Sequence, residues 1–380
     1  MKRTLITALT ALTVVLGAAN NRNCVWDMLS AAMRQKPAEN VLLSPLSLQQ
    51  CLGMLICGMP ENNEISSLLG VDRITAAAMQ AAIKSFPGEK REFNIFNAVF
   101  FNRNIKVKEK FVRDVNTFFG GKAYRVDFNR KSEVVETLND IVKHHSRNMF
   151  DAIFKESDIA GNPAMMLLNI LYFKSAWQLP FDRNLTQKRD FTPADGKSIK
   201  VNMMEQKAYL PYYQDDKVSA ILLPYYGGRF QLLAAMPTGK DKPLSVVVEE
   251  LKSKNLLTFT QKFNDSNETV CRIPVLNLET DSDMIPLLKS AGLKQTLIPS
   301  GSFSGITDAP LGIDQVRQLV KLKLDESGTE MAAVTYAIAR CALRPPQSKI
   351  NYFYADRPFV IVLFDRESGL ILLTGIVNHP

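Results

Sequence analysis

The chain reads as an α+β protein built on one large core, and three features carry that reading. Apolar strand-like runs at residues 93–101, 165–181 and 358–364 are interspersed with amphipathic runs of helical spacing along the whole length. No linker and no internal repeat divides the 380 residues, of which 46% are hydrophobic and 22% charged, so the composition supports a sizeable core. The third feature is the stretch 324–346, which follows one strand-like run and precedes another. It has neither ordinary loop chemistry nor ordinary helix chemistry.

In chain order, residues 1–19 read as an export signal. Lys2-Arg3 is followed by an apolar run from 5 to 16 and then by Gly17-Ala18-Ala19, the small residues a signal peptidase needs. The run is too short for a membrane span, and Cys24 comes too late to be a lipid anchor. Export to the periplasm or the extracellular space is expected, in a style that looks bacterial. Trp26, Met28, Leu29 and Met33 then mark a helix closed by Lys36-Pro37. Residues 40–47 predict a buried strand turning into a helix, with Ser44 as N-cap and Pro45 in the first turn. That helix carries Cys51, Met54 and Leu55 and ends near Gly58. The strand at 93–101 is followed by an amphipathic helix with Phe111, Val115 and Phe119, a strand at 123–128, and a helix around Leu138 to Val142. Residues 221–227 and 232–237 read as a two-strand hairpin with a Gly-Gly turn, and strands at 358–364 and 370–377 close the chain.

Beyond Gly328, the positions Thr329, Met331, Ala333, Thr335, Ala337 and Ala339 alternate with Glu330, Ala332, Val334, Tyr336, Ile338 and Arg340. Side chains of a strand alternate between faces, so one face carries only small side chains and a single Met. Pro345 and Pro346 then forbid ladder pairing. A segment patterned as a strand but punctuated as a loop fits a chain that occupies two places.

These residues resemble a known family. Glu326-Ser327-Gly328-Thr329-Glu330 followed by Met331-Ala332-Ala333 looks like the hinge of a serpin reactive-centre loop, and Arg344-Pro345-Pro346 looks like the segment after that loop. Asn169-Ile170-Leu171-Tyr172-Phe173-Lys174-Ser175-Ala176-Trp177 through Pro180-Phe181 is similar to the most distinctive serpin strand motif, and the remaining segments follow in the family's order. The resemblance implies a serpin domain over 20–380 with a large mixed central sheet, two smaller sheets, surrounding helices and an exposed loop at about 326–346. It also implies that the helix near Leu138 lies across the main sheet and yields when the loop enters.

The function implied is that of a bait for endopeptidases of the serine, or by similar chemistry the cysteine, class. A target protease would be trapped as a covalent 1:1 acyl-enzyme while the cleaved loop inserts into the sheet. On this basis the hinge comprises Glu326, Gly328, Thr329, Met331, Ala332 and Ala333, and sheet opening involves Ser44, Ser47, Asn169, Trp177 and Gln318. Register places the reactive bond at Ala342-Leu343, suiting elastase-like or subtilisin-like enzymes, with Arg340 or Cys341 as alternative bait positions and Arg340 favouring trypsin-like proteases. Two departures stand out: Met331 where inhibitory members usually carry Ala, and Gln318 where the family usually has His. Met331 leaves open a non-inhibitory relative acting as a binding or chaperone-like module.

Enzyme readings find little support. The three histidines, His144, His145 and His379, join no catalytic or metal motif, and no nucleophile elbow, His-Glu-x-x-His helix or phosphate-cradling loop is present. Glu279, Asp281 and Asp283 read as a solvated acidic turn. The five cysteines are too few and irregular for a disulfide framework or a zinc site. The net charge of +8 is scattered, without a nucleic-acid module. A monomer with no cofactor, no metal, no nucleic acid and no membrane span is expected.

Overall fold

The structure is a computed structural model that describes residues 24–86, 93–150, 152–159, 161–329 and 349–380. Among the described residues it contains sheets of seven, six and four strands together with helices. The chain divides into two compact units. One is formed by the described residues of Met1–Ala31, Leu43–Tyr172 and Thr280–Lys321, the other by Ala32–Leu42, Phe173–Glu279 and Leu322–Pro380.

Largely within the first unit, strands run in the order Lys122–Val126, Phe93–Asn102, Met165–Phe173 and Gln315–Asp325, with Leu276–Asp283 paired to the last. Every residue of Met165–Phe173 is buried, as expected of a parallel strand covered on both faces. It pairs in parallel with its neighbour from Gln315↔Met166 to Val320↔Leu171. On one face the helix Lys131–His145 places Val134, Leu138 and Val142, one turn apart, against Phe100, Leu168 and Ile170. Elsewhere in this unit the helix Pro45–Gly53 is buried along its whole length and begins with Ser44, whose hydroxyl accepts from the Ser47 amide. The strand-to-helix corner at 40–47 is therefore borne out.

Glu279, Asp281 and Asp283 do not form a turn. They lie on the strand Leu276–Asp283, where buried Leu276 and Leu278 alternate with exposed residues. The period-2 pattern, not the acidic content, decided the local structure. Asp281 accepts from Arg317 Nε at 2.9 Å, so this carboxylate already has a cation.

The second unit holds the six-stranded sheet, in the order Val41–Leu43, Ile371–Val377, Phe359–Asp365, Phe230–Pro237, Val218–Pro224, Tyr212–Gln214. The hairpin between Val218–Pro224 and Phe230–Pro237 turns through Gly227 and Gly228, both at positive φ. The four-stranded sheet runs Ile350–Tyr354, Glu268–Pro274, Ile199–Ala208, Gln187–Phe191. Among the described residues no helix is long and apolar enough to cross a membrane.

Candidate functional site

The hinge is part of a sheet. After Asp325 the chain turns at Glu326-Ser327, and Gly328–Thr329 runs back as a short strand with Leu324↔Thr329 and Asp325↔Gly328 in register. Its other edge pairs antiparallel with Ser175–Ala176, through Gly328↔Ala176 and Thr329↔Ser175. Within the second unit, Gly328–Thr329 thus lies between Leu324-Asp325 and Ser175-Ala176, each of which pairs with it, and Thr329 is only 1% exposed.

Gly328 has no room for a side chain. A Cβ there would sit 2.2 Å from the Ser175 carbonyl oxygen and 2.7 Å from Ala176 Cα, and φ is 149°. The turn is held from several sides. Asp325 Oδ1 accepts from the amides of Ser327 at 2.7 Å and Gly328 at 3.2 Å. Glu326 accepts from the Thr186 hydroxyl at 2.6 Å, and its backbone oxygen takes the Phe181 amide at 2.8 Å. Trp177 donates twice to this turn, from its amide to Ser327 O at 3.0 Å and from its indole Nε1 to Asp325 O at 2.9 Å. The sequence demanded a partner for that indole; the hinge backbone provides it.

Under the hinge, the Trp177 ring stacks on Tyr225 with centroids 4.4 Å apart, and Phe173 meets Tyr225 edge-on at 5.1 Å. Tyr225 is fully buried, and its hydroxyl shares a 2.7 Å hydrogen bond with the Thr329 hydroxyl. Burial pushes the phenol well above its ordinary pKa, so it is neutral at physiological pH. Sequence reasoning missed this residue. A buried phenol needs a polar partner, but the hairpin pattern around Tyr225 gave no hint of where that partner lay.

A second polar group lies in the first unit, at the middle of the Met165–Phe173 and Gln315–Asp325 pair. Gln318 Oε1 accepts from the Ser44 amide at 3.0 Å, while its Nε2 donates to Ser44 O at 3.0 Å and to Asn169 Oδ1 at 3.2 Å. Asn169 Nδ2 passes the chain on to Asn97 Oδ1 at 2.6 Å. All of these residues are buried. Gln318 therefore ties the helix N-terminus and both strands together through the amide's paired donor and acceptor. Ser44 takes part through its backbone. Ser47 gives only its amide to the cap, and its hydroxyl has no partner among the described residues.

The helix Lys131–His145 is fastened to the segment after it by Asn139. Its Oδ1 accepts from the amides of Ile153 at 2.9 Å and Phe154 at 2.8 Å, and its Nδ2 donates to Phe154 O at 3.0 Å. At the helix end the His145 ring stacks on Phe96 at 3.7 Å, and its carbonyl accepts from Asn94 Nδ2 at 2.8 Å. Burial, reinforced by His144 and Lys122, lowers the His145 pKa to about 4. Cys24, Cys51, Cys57 and Cys271 are buried free thiols, and burial raises the pKa of each.

Of the expected site residues, the structure brings together Glu326, Gly328, Thr329 and Trp177 in one group and Ser44, Asn169 and Gln318 in another. Met331, Ala332, Ala333, Arg340, Cys341, Ala342 and Leu343 lie outside the described residues.

With this geometry in place, comparison with known proteins is informative. A family model described as serpin (serine protease inhibitor) matches residues 19–380. Glia-derived nexin of Rattus norvegicus is 27% identical over 372 residues, covering 93% of this chain and 91% of that protein. Alpha-1-antiproteinase of Ovis aries is 26% identical over 376 residues, covering 96% and 88%. Among solved structures, human thyroxine-binding globulin aligns with a TM-score of 0.85 at 24% identity, covering 97% of this chain and 99% of that one. Native protease nexin-1 with heparin aligns with a TM-score of 0.83 at 24% identity, covering 97% and 100%. These structural likenesses speak to the fold, and the family model speaks to descent: the chain belongs to the serpin family.

Proposed function

We propose that this serpin is an exported suicide-substrate inhibitor of serine endopeptidases, with Ala342-Leu343 as its bait bond. Most members of the family inhibit proteases, although some, such as thyroxine-binding globulin, do not. The observation that carries the reading is the seated hinge: Gly328–Thr329 pairs antiparallel with a strand on each edge, which supports continuation of the following residues along the same path.

The protease's nucleophilic oxygen attacks the Ala342 carbonyl carbon, the bond to Leu343 breaks, and its nitrogen leaves as an amine. Residues from Glu330 onward are then free to follow Thr329 into the sheet, carrying the ester-linked protease with them. Entry must part the pairs from Gln315↔Met166 to Val320↔Leu171 and the Gln318–Asn169 bond. Each ladder bond made or lost is worth about 0.5–1.5 kcal/mol net, and a strand inserted between two others forms bonds on both edges. Overpacking at Met331 costs about 1–3 kcal/mol, less than the summed ladder. Its effect falls on the rate, in the race between insertion and hydrolysis of the ester.

The test is incubation of the intact chain with elastase-like, subtilisin-like and trypsin-like proteases, followed by denaturing electrophoresis and mass analysis of the released peptide. A 1:1 covalent band and a C-terminal peptide beginning at Leu343 are expected. A peptide beginning at Cys341 moves the bait to Arg340 and the targets to trypsin-like enzymes. Clean cleavage with no covalent band across the panel overturns inhibition in favour of a binding role.

A further inference from the structure

Three aromatic rings converge under one hydroxyl. Tyr225 is clamped by the Trp177 stack at 4.4 Å and the Phe173 edge contact at 5.1 Å, which leaves its ring little freedom. Its backbone is fixed as well, by the Trp177↔Tyr225 bridge and by the Tyr225 amide donating to Phe230 O at 3.0 Å. A ring held this firmly aims its hydroxyl at one place, and the group found there is the Thr329 hydroxyl at 2.7 Å. Both groups are buried, so neither can fall back on water if the bond is lost.

We infer that Tyr225 is a positioning residue for loop insertion, holding Thr329 in register before the loop is cut. The inference rests on the inhibitory reading and adds to it the residue that holds the Thr329 hydroxyl from below. Thr329 is the last described residue before the loop, and its pairs with Ser175 and Leu324 set the register for whatever follows. A one-residue slip in a strand turns every side chain to the opposite face. In the sequence, Glu330 and Arg340 fall on the alternation opposite to Thr329, so the register at Thr329 decides which of the two sets shares its face. The hydroxyl pair resists that slip, because a slipped hinge strands a buried phenol.

The strength expected of one such bond corresponds to about a threefold to tenfold shift in the ratio of seated to unseated hinge. Tyr225→Phe keeps the ring and its stacking and removes only the hydroxyl. Thr329→Val keeps the shape and removes the partner, and Thr329→Ser keeps the partner. Two readouts apply to the intact chain: hydrogen exchange in the peptide spanning 324–329, and the partition between covalent complex and cleaved inhibitor. Tyr225→Phe and Thr329→Val are each expected to speed exchange and divert more of the chain to cleaved product, with the double variant no worse than either. Thr329→Ser should behave like the parent. Tyr225→Phe and Thr329→Val leaving exchange unchanged, or losses that multiply in the double variant, overturn the role. Should Tyr225→Phe fail to fold, the Thr329→Val and Thr329→Ser comparison decides alone. Should the parent trap no protease, inhibition fails, while the exchange measurement still settles whether Tyr225 holds the hinge.

Discussion

At Gly328 a single methyl group would meet the Ser175 carbonyl oxygen at 2.2 Å, so Gly328→Ala is expected to expel the hinge from the sheet. Faster hydrogen exchange in 324–329 and a lower yield of covalent complex would report it; unchanged exchange would show that the backbone adapts. Gln318→Ala removes three buried hydrogen bonds to Ser44 and Asn169, a loss of about 1–3 kcal/mol of stability. A denaturant titration measures it, and the direction is a lower midpoint. Several residues at this scale were legible in the sequence. Gly328 stood at the head of a small-residue alternation, Trp177 in a distinctive motif, and Gln318 at a position normally held by another polar residue. Tyr225 was not legible, because its role depends on a contact with Thr329 across 104 residues of chain, and local periodicity does not encode such pairings. The Ser47 hydroxyl has no partner among the described residues, and Gln318 reaches the backbone of Ser44.

Among the elements, the helix Lys131–His145 is where pH should act. His145 keeps its ring neutral in the fold, with a pKa of about 4 against an ordinary 6.5. The unfolded chain takes up a proton at this site as pH falls below 6.5, whereas the folded chain resists until about 4. The stability contributed by neutral His145 is therefore complete above 6.5 and is lost progressively between 6.5 and 4. Partial exposure of the ring screens the effect and limits its size. Melting curves across that window should fall for the parent and fall less steeply for His145→Phe, which keeps the stack on Phe96. Parallel curves would assign the loss to other groups. Replacing Asn139 by Ala removes three bonds to residues 153 and 154 and is expected to lower stability while easing displacement of the helix, seen as a higher yield of covalent complex. The strands and helices themselves were read well from periodicity, as in the corner at Ser44-Pro45 and the buried run at 165–173. The acidic segment at 279–283 was misread because its charges drew more weight than the alternation of Leu276 and Leu278 with polar residues.

Over the whole molecule, the proposed mechanism requires a metastable intact chain, one in which the segment after Thr329 can still join a sheet as a further strand. The fold was recoverable from the order of motifs, since the match extends over residues 19–380. How far the hinge is already seated was not, because a sequence patterned for two placements does not say which one the intact chain adopts. The central claim is tested most directly by cutting the loop with a protease that the chain does not trap and comparing melting temperatures before and after. Insertion adds several ladder bonds of about 0.5–1.5 kcal/mol each, and each kcal/mol raises the melting temperature by roughly 2–4 °C in a protein of moderate size. The cut chain is therefore expected to melt more than about 10 °C above the intact one. A cut chain that melts at the same temperature, or lower, would contradict insertion and with it the inhibitory mechanism.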